Sequence, residues 1–117
     1  MSYSVYLPDS FKRSLKRLTR RFPHVRADAI AAIGEVLHLP VLGAVVPGSG
    51  GVRKLRIRSS DLKRGKSGGF RLLYIVLSDR ELVCPLLIYA KSNRGDVTRR
   101  DLRALLADLE RELDSMA

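Results

Sequence analysis

The sequence contains no tryptophan, two histidines and a single cysteine, Cys84, among its 117 residues. One cysteine excludes an intramolecular disulfide and every zinc site that needs several thiolates. His24 and His38 have no Cys, Asp or Glu at a spacing typical of a metal site or a catalytic triad. We therefore expect no metal site and no cofactor, and we interpret Cys84 as a packing residue because its neighbours are apolar.

Long apolar segments are also missing. The longest runs, residues 72–77 and 83–90, are far shorter than the roughly 20 residues that a helix needs to cross a bilayer. The first residues do not have the unbroken apolar core of a secretory signal. We expect a protein outside the membrane, with the cytoplasm as its default location, and a single domain over residues 1–117.

Acidic residues are scarce in the segment where apolar and polar residues alternate as in a β-strand. Asp61 is the only acid in residues 52–74. The basic residues of this segment are Arg53, Lys54, Arg56, Arg58, Lys63, Arg64, Lys66 and Arg71. Without a pair of carboxylates on the sheet, carboxylate acid–base catalysis and a two-metal nuclease both lack their groups. The net charge of +10 indicates a polyanionic partner, which is a nucleic acid, an anionic membrane surface or an acidic protein.

The hydrophobic pattern predicts an α+β domain with an antiparallel sheet, an N-terminal helix hairpin and a C-terminal helix. The predicted elements are a strand at 4–7, a helix that begins near Ser10 with a side-chain cap, a second helix from Pro23 to Pro40, a loop at 41–51, a meander of strands at 52–58, 70–77 and 81–90, and a last helix behind Thr98. Pro85 predicts a bulge or a strand that begins at Leu86, and Thr98 with Asp101 has the spacing of a capping box. We expect the helices to pack on one face of the sheet and to leave the other open as a basic concave surface.

Strand alternation concentrates the charge on one side of the first meander strand. Lys54, Arg56 and Arg58 project to one face, whereas Leu55 and Ile57 face the core. Like charges on one strand face repel each other unless an anion lies there, which indicates a polyanion site. The alternative is a solvated strand face with no ligand.

One short motif between the first two meander strands invites a nucleotide-binding interpretation. Residues 65–67 read Gly-Lys-Ser, as at the end of a P-loop, but Ser60 stands where that motif needs its first glycine and a strand follows instead of a helix. We interpret residues 61–69 as a hairpin loop in which Lys63, Arg64 and Lys66 reach outward, either to contact phosphate or to keep the protein soluble.

If this protein is an enzyme, cations have to carry the chemistry. RNA cleavage by attack of the 2′-hydroxyl builds negative charge on a phosphorane, and preorganised Arg and Lys side chains stabilise that charge without a metal. One charged donor contributes about 2 to 4 kcal/mol in such a site.

The order of strand, helix hairpin and three-stranded meander, with a basic residue on each meander strand, resembles the RelE/ParE toxin superfamily over nearly the whole chain. The most specific segments are GKSGGFRLLY at 65–74 and LLIYAKS at 86–92, which look like the RelE and HigB branch and less like the gyrase-directed ParE branch. The resemblance implies a toxin of a type II toxin-antitoxin system. Such a toxin cleaves mRNA on the ribosome and is silenced by an antitoxin encoded beside it.

The resemblance also implies roles for particular residues. Lys54 and Arg56 match a basic pair that holds the mRNA backbone or transfers protons, Arg71 matches the arginine that stabilises the scissile phosphate, and Lys91 matches a basic residue at the end of the last strand. These four are the candidate catalytic residues. The candidate RNA-binding residues are Arg58, Lys66, Arg64 and Tyr89.

Two of these assignments stay open. The ring of Tyr89 either stacks on a base or belongs to the core. The tyrosine that some RelE members carry near the C-terminus has no counterpart, because Thr98 occupies that region. Lys54 or Lys66 is then the candidate general base.

Two alternative functions belong to other classes. A ParE-like gyrase inhibitor needs no catalytic cluster, and a non-catalytic remnant keeps only the basic surface and the antitoxin contact. The presence of both Arg71 and Lys91 argues against the remnant. We expect the antitoxin to be small and partly disordered and to fold on binding, either on the basic first helix or over the active face. The ribosome and mRNA are the other expected partners.

Overall fold

A computed structural model describes residues 2–61, 69–91 and 97–116 and confirms the predicted α+β fold. The elements are β1 (Ser4–Val5), α1 (Asp9–Thr19), α2 (Val25–His38), β2 (Ala44–Val45), β3 (Arg53–Ile57), β4 (Phe70–Leu77), a 3-10 turn (Ser78–Arg80), β5 (Leu82–Ala90) and α3 (Arg99–Ser115). The five strands form one sheet in the order β1-β5-β4-β3-β2. None of the described helices is long and apolar enough to cross a membrane.

The sheet is mixed and wider than the predicted antiparallel meander. β1 pairs in parallel with β5, whereas the other pairings are antiparallel. β2 lies inside the segment 41–51, which the sequence predicts as a loop. It forms because Val46 N donates to Val52 O at 2.8 Å and closes a turn that brings Ala44 and Val45 beside β3.

Helices cover both faces of the sheet, so the prediction of one helical face and one open face is wrong. α1 and α2 bury Phe11, Val25 and Val36 on the first face. α3 buries Leu102 and Leu109 on the second. The reason is β4, which is buried along nearly its whole length. After Arg71 it is a continuous apolar run at residues 72–77, of the kind that strands covered on both sides show. Only part of the second face lies beyond α3.

Pro85 shifts the register of β5, as the sequence predicts. Leu73 pairs with Leu87 and Tyr74 with Pro85, which leaves Leu86 as an extra residue in a bulge. Proline has no N–H to give to the strand ladder. The bulge therefore lets β5 run through Pro85 instead of starting after it.

Two serines of α1 supply hydrogen bonds to β5 beyond the short strand β1. Ser10 Oγ donates to Leu86 O at 2.8 Å, and Ser14 Oγ accepts from Ile88 N at 3.1 Å. A strand edge with unpaired backbone groups has to be satisfied or covered, and α1 does both. α1 begins at Asp9, one residue before the predicted start near Ser10, but the predicted side-chain cap is wrong, because Pro8 is at the N-cap and no side chain caps the helix.

Gly69 fixes where β4 begins. Its φ of +83° lies in the left-handed region, and a Cβ placed there would lie 2.4 Å from Ile57 O, a backbone atom of β3. Lys91 N also donates to Gly69 O at 3.2 Å. Gly69 therefore holds the ends of three strands together at one corner of the sheet.

We predict that Gly69→Ala destabilises the protein by about 1 to 3 kcal/mol, because alanine is strained at this φ and its Cβ forces β3 and β4 apart. Gly34→Ala is the matched control. Gly34 lies in α2 with nothing within 4 Å of an added Cβ, so that variant should gain about 0.5 to 1 kcal/mol. Urea unfolding measures both, and equal midpoints for the two variants would contradict the role of Gly69.

Candidate nucleic-acid interface

Four basic side chains, from β3, β4 and the residue that directly follows β5, meet in one cavity on the second face of the sheet. Arg56 of β3 pairs with Arg71 of β4, and Arg71 pairs in turn with Tyr89 of β5. Lys54 precedes Arg56 by two residues and Lys91 follows Tyr89 by two, so all five share this face. The four basic residues line a cavity of about 330 Å³, here called the cation cavity.

Arg71 is the buried member of the cation cavity, with 7% of its surface exposed. Its Nη1 donates to Phe70 O at 3.3 Å, and within the described part of the chain no carboxylate pairs with it. This is the one hydrogen bond that the described residues give the guanidinium. A buried charge without a counterion is costly, and this one keeps donors free for an anion.

A second cavity of about 250 Å³ adjoins the cation cavity. Val46, Pro47 and Lys54 line both. Tyr89 also lines the second cavity, with Leu73, Val97, Arg99 and Leu102. Sequence reasoning missed Arg99, although it directly follows the predicted cap Thr98. The cap is confirmed, since Asp101 N donates to Thr98 Oγ1 and Thr98 N donates to Asp101 Oδ2.

The other predicted RNA-binding residues are not all gathered at these cavities. Tyr89 is 7% exposed and packs in the core under α3, so its stacking role stays a prediction. Arg58 is exposed just past the end of β3 and lines neither cavity. Arg64 and Lys66 lie outside the described residues.

Arg53 shows that the basic residues of β3 divide into two kinds. Its Nη1 donates to Gly43 O at 2.7 Å and to Val41 O at 3.3 Å. Arg53 therefore ties the segment before β2 to the sheet. Lys54 and Arg56, by contrast, line the cation cavity.

His24 has an acidic partner that the sequence spacing did not reveal. Its Nδ1 lies 2.6 Å from Asp61 Oδ1, and its backbone N donates to Asp61 Oδ2 at 2.9 Å. The hydrogen bond to Asp61 raises the pKa of His24, and the same bond lowers the pKa of Asp61. The one acid of residues 52–74 is therefore bound at the start of α2, away from the cation cavity.

Thiol and metal chemistry find little support in the described residues. Burial raises the pKa of Cys84 to about 11, which keeps the thiol protonated and unreactive at neutral pH. No group of three or more His, Cys, Asp or Glu within residues 2–61, 69–91 and 97–116 could hold a metal ion. The chemistry open to this face is the binding of phosphate and the stabilisation of extra negative charge on it.

The fold is a mixed sheet with a helix hairpin on one face and a C-terminal helix on the other, and solved structures of RelE-like toxins share it. The toxin RelE of E. coli, solved as a double mutant in the free state, superposes with a TM-score of 0.58 at 22% identity over 95% of this chain and 98% of that chain. The RelBE2 toxin-antitoxin complex of Mycobacterium tuberculosis superposes with a TM-score of 0.57 at 23% identity, over 75% of this chain and 96% of that chain. No protein-family model matches the sequence. The predicted resemblance to RelE-like toxins is thus confirmed at the level of the fold.

We predict that Asp61→Asn lowers the pKa of His24 toward its ordinary value of 6.5, because the neutral amide no longer favours the imidazolium. An NMR titration of the His24 ring measures this shift. Asp79→Asn, which removes an exposed acid of the 3-10 turn, is the control and should leave the His24 titration unchanged.

The same pair makes stability depend on pH. The raised pKa of His24 contributes stability that is complete below 6.5 and is lost as pH rises through the folded-state value. The lowered pKa of Asp61 contributes stability above 3.8 that is lost as pH falls through its folded-state value. The difference in unfolding free energy between wild type and Asp61→Asn should therefore be largest between pH 3.8 and 6.5. A difference that does not change with pH would rule out the ion pair.

Proposed function

We propose that this protein is the toxin of a toxin-antitoxin system and a metal-independent endoribonuclease that cleaves mRNA on the ribosome in the cytoplasm. The observation that carries the proposal is the convergence of Lys54, Arg56, Arg71 and Lys91 in one cavity. The RelE-like fold supports the class, since the two similar structures described above are a toxin and a toxin-antitoxin complex.

The pairing of two arginines is the strongest physical argument for an anionic ligand. Arg56 and Arg71 stand directly opposite each other in the β3–β4 ladder, where like charges destabilise a sheet. A protein that keeps such a pair gives up stability at that position, which is typical of functional sites. A phosphodiester between the strands turns the repulsion into two charge-assisted contacts.

The proposed reaction needs only groups that RNA and these side chains supply. The 2′-hydroxyl oxygen of one nucleotide attacks the adjacent phosphorus, and the bond from phosphorus to the 5′-oxygen of the next nucleotide breaks. The 2′-hydroxyl gives up a proton and the 5′-oxygen receives one, so the products are a 2′,3′-cyclic phosphate and a 5′-hydroxyl end. Arg71 stabilises the charge that builds on the phosphorane, while Arg56 and Lys91 hold the backbone and Lys54 is the candidate base.

We propose the ribosome as the place of cleavage because of charge outside the cavity. The outer face of α1 and the turn that follows it are basic and exposed. The residues are Lys12, Arg13, Lys16 and Arg17 of α1, and Arg20 and Arg21 after it. A continuous cationic face of this kind binds the phosphate backbone of structured RNA without reading its sequence.

We propose an antitoxin as the protein partner. The M. tuberculosis neighbour is a toxin-antitoxin complex, and this chain exposes apolar side chains that a partner would cover. They are Ile30 on α2 and Leu39, Val41, Leu42 and Val45 in the segment that follows it. A small acidic protein that folds as it binds matches both this surface and the net charge of +10.

We predict that Arg71→Ala lowers the cleavage rate about 100-fold or more, because one preorganised charged donor to the phosphorane is lost. The measurement is the mapping of new 5′ ends in translated mRNA, in cells after induction and with purified ribosomes. Arg103→Ala is the matched control, since it removes one exposed arginine of α3 and should leave cleavage unchanged.

Two further variants separate loss of chemistry from loss of folding. Arg71→Met fills the same buried position without a charge, so it should unfold no more easily than wild type while it loses cleavage. Arg56→Ala removes an exposed cation of the cavity and should also slow cleavage.

Growth arrest without new mRNA ends would point to a ParE-like action on gyrase. Harmless expression of the folded wild type would identify a non-catalytic remnant.

A further inference from the structure

The two adjoining cavities are lined by different residues. The cation cavity holds Lys54, Arg56, Arg71 and Lys91. Six of the eight residues that line the second cavity are apolar or aromatic, with Val46 and Pro47 from the β2–β3 turn on one side and Val97 and Leu102 of the α3 region on another. We propose that this second cavity is a nucleobase pocket that holds a base next to the phosphate bound in the cation cavity. This proposal rests on the proposed function, because it assigns a further contact to the same RNA.

The floor of the pocket is fixed by the core. Leu73 and Leu102 are each 2% exposed, and both belong to the hydrophobic core between the sheet and α3. Tyr89 lines the pocket from the same core. A rigid apolar floor suits a nucleobase, because burial of the flat, apolar faces of its ring removes them from water and is favourable.

The polar residues of the pocket are placed to contact the phosphate and the base edge of a bound nucleotide. Lys54 lines both cavities, so it can contact the phosphate of the nucleotide whose base lies in the pocket. Arg99 is the first residue of α3, and its guanidinium packs against the turn at Gly48, where an added Cβ would lie 3.1 Å from Arg99 Cζ. A guanidinium held in this way offers fixed donors to acceptor atoms on a base edge.

The volume limits what the pocket can take. About 250 Å³ lies below the range of about 300 to 1,000 Å³ that is typical of sites for drug-sized ligands. One base fits that size, whereas an oligonucleotide has to continue along the cation cavity. An apolar side chain of a partner protein is the competing occupant, but it leaves Lys54 and Arg99 without a polar partner.

The test compares small ligands on the purified full-length protein by isothermal titration calorimetry. Adenosine and uridine monophosphates should bind about tenfold more tightly than ribose 5-phosphate, because base contacts add to phosphate contacts. Inorganic phosphate reports the cation cavity alone. Equal affinity for the nucleotides and for ribose 5-phosphate overturns the base pocket.

Two variants locate the effect. Val97→Phe fills the pocket and should remove the tenfold preference while phosphate affinity stays unchanged, because Val97 lines the second cavity and not the cation cavity. Val41→Phe places the same ring at an exposed position outside both cavities and should change neither affinity. Arg99→Ala should weaken nucleotide binding with Arg100→Ala as its control. A loss of phosphate affinity in Val97→Phe equal to its loss of nucleotide affinity contradicts the proposal.

The remaining outcomes separate this proposal from the proposed function. If N-acetyl-leucinamide binds as tightly as the nucleotides, the cavity is a docking pocket for protein and the proposal is wrong. If the nucleotides show the expected preference but the wild type cuts no mRNA, the base pocket stands and the endonuclease is refuted. If mRNA is cut and no preference is found, the endonuclease stands and the pocket is refuted.

Discussion

The pairing of Arg56 with Arg71 across two antiparallel strands is the constraint on which the rest of the structure depends. Two guanidinium groups at paired positions repel each other, so β3 and β4 have to be held together by other means. Gly69 keeps the corner tight, and the opposite face of the same strands buries Ile57, Phe70 and Leu72. The apolar core therefore offsets the cost of a cationic site on its reverse side.

α3 and the β2–β3 turn cover much of the second face, so the basic residues of the cation cavity lie in a pocket and not on a flat surface. α3 packs over the middle and far end of β4 and β5, whereas Arg71 lies near the start of β4 and Lys91 directly follows β5. The β2–β3 turn supplies the opposite wall through Val46 and Pro47. An exposed row of cations binds anions weakly in water, but apolar walls lower the local polarity and strengthen each contact.

Local sequence signals predicted much of this protein, and long-range pairings account for what they missed. The helix stripes, the bounds of β4, the bulge near Pro85 and the cap at Thr98 follow from residues that are close in the chain. Alternation also placed Lys54 and Arg56 on one face. The bond from Ser10 to Leu86 and the pair of His24 with Asp61 join residues 76 and 37 positions apart, and no periodicity encodes such distances. Arg99 was missed for the same reason, since the packing of α3 brings it beside Lys54.

The placement of the acids explains why the cation cavity stays without an internal counterion in the described part of the chain. Asp61 is bound to His24, Asp28 accepts two hydrogen bonds from Ser60, and Glu112 accepts from Tyr6, which raises the pKa of Tyr6 to about 12. Asp101 completes the cap of α3. Each of these carboxylates stabilises a helix end or a junction between elements. These four acids thus contribute to folding at the periphery, and none of them lines the cavity in which Arg56 and Arg71 come together.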